Sequence, residues 1–145
     1  MNKKFKMEKV LEIREKALER EKIKLAELQQ IEADIRAELQ VIAQEINKSA
    51  DEMEQDKAQG RFEFVEMFTK FIKIKQQEVI ECETRKQAAE QNIVKQKEVL
   101  RKALNDVKVM EKLKEKHLIE YQAYVKKQED MQIDEINISR GFKED

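Results

Sequence analysis

A seven-residue repeat of apolar side chains runs from Phe5 to about Asp56, is interrupted once, and resumes as far as Ile138. Such a pattern restricts a chain to long helices that pair along one seam. In the first stretch Leu11, Leu18, Leu25, Leu39, Ile46 and Met53 occupy the a position and Leu28, Ile35 and Ile42 the d position, with Glu32 breaking the a series. In the second, Val65, Ile72, Val79, Ile93, Leu100, Val107 and Tyr121 fall at a, and Phe68, Cys82, Ala89, Ala103, Met110, Tyr124, Met131 and Ile138 at d. Nothing stops either helix early: proline is absent, the two glycines are Gly60 and Gly141, and good helix formers dominate.

Between Glu54 and Arg61 the seam dissolves into a polar stretch that ends at Gly60. As the single internal glycine, it can take a left-handed or turn conformation without a Cβ penalty. The pattern therefore predicts an all-α fold, two long helices in an antiparallel coiled-coil hairpin, the second longer than the first. Its bounds are helix 1 at about 5–56, a turn at about 57–61, helix 2 at about 62–138 and a frayed tail at 139–145, within a single elongated domain 1–145. An unturned helix pairing with a second copy is the alternative, and Gly60 with its polar surroundings weighs against it.

With the turn at Gly60, facing residues have numbers that add to about 121, as a-to-d layering requires. Leu11 then faces Met110, Leu18 faces Ala103, Leu28 faces Ile93, Leu39 faces Cys82, Ile42 faces Val79 and Met53 faces Phe68. Three layers are mixed: Ile46 meets Lys75, Leu25 meets Gln96 and Ile35 meets Lys86, so these polar stems should lie along the seam with their heads in water. The first helix runs out opposite about Lys116, leaving roughly 22 residues of helix 2, about 33 Å at 1.5 Å per residue, without an intramolecular partner. Leu118, Tyr121, Tyr124, Val125, Met131 and Ile138 continue the apolar stripe along this overhang, the kind of surface that partner proteins cover.

Thirty basic against thirty-one acidic side chains give a net charge of −1, in a chain that is 42% charged. The signs alternate along the helices, as on solvated faces, so neither nucleic acid nor an anionic membrane is an expected partner. Lys3, Lys4 and Lys6 read as a frayed, solvated terminus. No run of about eighteen apolar residues is present and no secretory h-region opens the chain, which points to the cytoplasm. One cysteine, Cys82, agrees with a reducing compartment.

Catalytic and cofactor chemistry have no foothold. There is no glycine-rich phosphate loop, no Cys or His pair at metal-ligand spacing, and His117, the one histidine, has no cysteine or serine near it in sequence. His117 reads as a seam residue and Cys82 as a small buried hydrophobe. Acidic pairs such as Glu81 and Glu83, or Glu129 and Asp130, sit among basic residues on solvated faces. The methionines are core fillers, with Met110 and Met131 open to a partner role. No enzyme, cofactor, metal or small-molecule substrate is expected.

Two segments carry a family resemblance. Phe5-Lys6-Met7-Glu8-Lys9-Val10-Leu11-Glu12-Ile13-Arg14 opens the chain, and Val109-Met110-Glu111-Lys112-Leu113-Lys114-Glu115-Lys116 is followed by Glu120-Tyr121, Glu129 and Asp134-Glu135-Ile136. Both resemble the ends of the flagellar export protein FliJ family, and Phe64, Phe68 and Phe71 resemble the aromatic start of its second helix. The resemblance implies a stalk of the flagellar type III export apparatus, similar to the coiled coil of the rotary ATPase γ subunit. Such a stalk binds the export ATPase FliI, promotes its assembly and activity, and links it to the export gate FlhA and to export chaperones at the inner face of the membrane at the flagellar base.

Joined to the seam, this implies two contact surfaces. Val10, Arg14, Leu118, Tyr121, Tyr124 and Met131 would enter the ATPase ring; Phe62, Phe64, Phe68 and Phe71 would meet the gate or chaperones. A coiled-coil scaffold, or an export chaperone without effect on ATP turnover, are the alternatives.

Overall fold

The computed structural model describes residues 1–144, with side chains through Gly141. Two helices account for nearly all of it, α1 at Glu8–Ala58 and α2 at Val65–Glu144, and the longer α2 packs against α1 in a hairpin.

Helix α1 starts at Glu8, with Phe5 in the lead-in. The Glu8 amide donates to the Phe5 carbonyl at 3.2 Å and the Leu11 amide to that of Met7 at 3.0 Å. A carboxylate in the first turn suits the positive end of the helix dipole, whereas Lys3, Lys4 and Lys6 would oppose it. Starting late also frees Phe5 to pack against the buried side chains of the seam.

The far end of α1 closes with a Schellman motif. The Arg61 amide reaches back to the Asp56 carbonyl at 2.8 Å and the Gly60 amide to that of Lys57 at 3.0 Å, with Gly60 at φ 75°. A Cβ at Gly60 would meet nothing within 4 Å, so backbone conformation, and not space, selects glycine here. The Arg61 and Asp56 side chains pair across the motif at 3.7 Å. Helix α2 begins at Val65, three residues after Phe62, and continues beyond Ile138 to Glu144; Asp145 lies outside the described residues.

The chain groups into two units, one formed by Met1–Arg20 with the segment from Leu100 onward, the other by Glu21–Val99. In the first, Leu11, Leu18, Val107 and Met110 form a buried cluster, flanked by Phe5, Val10, Leu100 and Ala103. Leu11, Leu18 and Met110 thus share one cluster and Ala103 packs against it, in keeping with the register of the repeat. Polar pairs follow the same register: the Arg14 guanidinium donates to the Asp106 carbonyl at 3.3 Å, and Lys114 pairs with Glu8 at 3.0 Å.

In the second unit the buried side chains are Ile35, Ile42, Cys82, Ala89, Ile93 and Gln96. Each fully buried aliphatic side chain contributes about 1.5–3 kcal/mol, whereas the ion pairs along the exposed rim contribute little. Lys75 lies as expected for a mixed layer, its stem along the seam and its ammonium on Glu45 at 2.9 Å and Glu78 at 3.2 Å, two carboxylates that raise its pKa. The Arg85 guanidinium grips both Glu38 oxygens at 3.0 and 3.1 Å, and this bond holds the Glu38 carboxyl below its ordinary value. Its contribution is therefore present at neutral pH and fades as acid carries the pH down through that lowered value.

Gln96 departs from expectation. Its head is not in water: the residue is 6% exposed and its amide donates to the Glu21 carbonyl at 3.1 Å and to a Glu21 carboxylate oxygen. A buried amide without partners is costly, and Glu21, a d-position residue of α1, supplies both acceptors. The layer is held by hydrogen bonds where an apolar contact is missing.

Candidate partner-binding surfaces

In the unit built from the chain ends, α1 begins at Glu8 while α2 continues well past the level where the two meet. His117 marks that level. Its ring lies 5.9 Å from the Phe5 ring, and its Nε2 is 3.3 Å from the Lys3 carbonyl oxygen. Past it Tyr121 and Val125 are half-buried, and every residue from Lys126 to Gly141 is exposed. Leu118, Tyr124 and Met131 are 48%, 38% and 49% exposed.

The structure divides the six residues assigned to the ring surface. Leu118, Tyr121, Tyr124 and Met131 share the overhang, while Val10 and Arg14 are engaged within the seam, Val10 against the buried cluster and Arg14 on Asp106. Heptad counting passes over further apolar side chains on the overhang. Ile119, Ile133 and Ile136 are all more than half exposed, yet they fall at outer positions of the repeat, which the count treats as solvent. Their being apolar at such positions was the one available signal.

In the other unit, aromatic and aliphatic side chains gather where α2 begins. Phe62 and Phe64, in the connection, are 64% and 51% exposed, and Phe71 is 38% exposed; Phe68 turns inward and is half-buried. Met67, Phe71 and Ile74 lie at i, i+4 and i+7, on one face of the helix, and Met67 and Ile74 are exposed too. The Lys75 ammonium sits 5.4 Å from the Phe71 ring centroid, a cation–π contact that steadies the ring. Periodicity found Phe68, and the family resemblance pointed to Phe64 and Phe71, but neither signalled Met67 and Ile74, which lie outside the a/d columns.

Cys82 is 2% exposed, and burial raises its thiol pKa. Thiolate is the reactive form, so Cys82 should resist maleimide in the native protein and react promptly in denaturant; prompt native labelling would show that this layer opens readily. Among the described residues no cluster of His, Cys, Asp or Glu could hold a metal ion, and no helix is long and apolar enough to cross a membrane.

In comparison with known proteins, the model of the family described as "Flagellar FliJ protein" matches residues 3–144. No curated protein and no solved structure matches.

Proposed function

The chain belongs to the flagellar FliJ family, which makes it a component of the flagellar export apparatus, and from that premise we propose that it is a non-catalytic stalk that engages the export ATPase FliI through the overhang of α2. The supporting observation is the apolar stripe left largely open on α2: Leu118, Tyr124 and Met131 are exposed and Tyr121 is half-buried, along a helix that α1 has ceased to flank. Tyrosines on such a helix are suited to anchoring, because each offers a large rigid surface and a hydroxyl at low entropic cost.

The aromatic face at the start of α2, with Phe62, Phe64, Phe68 and Phe71, is the surface for the export gate FlhA or for export chaperones, and the protein works in the cytoplasm at the flagellar base. A chain that carries both surfaces would link the ATPase to the gate.

The test is ATP turnover by the same organism's FliI as the full chain is added, compared with a chain ending at Ile119, which keeps the Phe5–His117 contact. Stimulation by the full chain and none by the shortened one is expected. Equal stimulation by both would move the contact off the overhang, and none from either, with both helical, would favour a chaperone or scaffold.

A further inference from the structure

The overhang has two edges that differ in kind. On the e edge stand Leu118, Val125, Gln132 and Ser139, none of them charged; on the g edge stand Glu120, Lys127 and Asp134. Parallel helices bring g residues against e residues, which would set Glu120 on Val125, Lys127 on Gln132 and Asp134 on Ser139, leaving every charge without an opposite. Antiparallel helices bring g against g and e against e. Lys127 then meets Asp134 of a second copy and, by two-fold symmetry, Asp134 meets the copy's Lys127. Among the described residues neither side chain has an ion pair within its own chain.

We infer that the free overhang binds a second copy of this chain, antiparallel, about a two-fold axis between Glu129 and Asp130. The register that joins Lys127 to Asp134 also orders the face between the edges. Tyr121 packs on Ile138, Gln128 on Met131, and the Tyr124 hydroxyl can donate to the Glu135 carboxylate, each contact occurring twice. Ile138, the last residue of the copy's stripe, lies at Tyr121, one turn beyond His117, which Phe5 and the lead-in of α1 already cover. The copy thus fills the stripe that α1 leaves uncovered. This pairing uses the face assigned above to the ATPase, but its existence does not depend on that assignment.

Sedimentation equilibrium of the full chain at low salt, where such ion pairs are least screened, tests it. As concentration rises toward about 1 mM, the range suited to a contact of this size, the weight-average mass should climb from 17.3 kDa toward twice that value. Lys127→Glu alone and Asp134→Lys alone place like charges together and should each weaken association about tenfold. An equimolar mixture of the two variants restores opposite charges at both positions and should associate at least as well as the unaltered chain, which also shows that neither variant is misfolded. A mass that stays at the monomer value, single variants that associate like the unaltered chain, or a mixture no better than its components would each overturn the inference.

Discussion

Replacing Tyr121 and Tyr124 together by alanine is expected to lower the affinity for the FliI ring at least tenfold and to remove most of the stimulation of ATP turnover, while leaving the helix in place. Truncating a tyrosine that anchors an interface costs about 2 kcal/mol or more, and every 1.4 kcal/mol is tenfold in affinity. Helix content should hold because alanine is the better helix former and because Tyr124 is 38% exposed in the free chain. Titration of the ATPase with both proteins, beside far-UV circular dichroism of each, decides the matter. Undiminished stimulation by the double variant would mean that the ring grips another part of the molecule.

The second large effect is on folding, and it separates two methionines that sequence periodicity places in the same column. Met110→Ala should lower the stability of the hairpin by about 2–5 kcal/mol, the range for emptying a packed site, because Met110 is 2% exposed against Leu11 at 3%. Met131→Ala, at a side chain 49% exposed, should change stability by less than about 0.5 kcal/mol. Urea unfolding followed by circular dichroism reads both. If Met131→Ala proved as damaging as Met110→Ala, the overhang would be packed in solution against something at the concentration used, and dilution would reveal whether that is a second copy.

The contrast shows how much of the candidate surface could be read in advance. Both methionines hold d positions, and a repeat of seven cannot say whether a d residue has a partner. The overhang was legible because two lengths could be compared, the stretch before Gly60 and the stretch after it. Val10 and Arg14 show the limit of that comparison. They lie at the right end of the chain, but the packing of Val10 on the Leu11–Met110 cluster and the bond of Arg14 to the Asp106 carbonyl depend on side-chain directions that register alone does not supply. Met67 and Ile74 were invisible for a related reason: the pattern scores the inner columns, and an apolar residue outside them carries no period.

The sequence by itself determined that this chain is helical, that it turns at Gly60 and that its layers pair in a set register, because helix propensity, a missing Cβ and a seven-residue spacing are local properties that need no knowledge of distant contacts. Only the tertiary structure decided how the imperfect layers are met. Gln96 is buried because Glu21 comes within hydrogen-bonding distance from the other helix, and Phe5 leaves α1 to close over His117 because the buried cluster beside it accepts an aromatic ring. Each of these outcomes balances the desolvation of one group against a partner brought from more than seventy residues away, a balance that no stretch of sequence contains on its own.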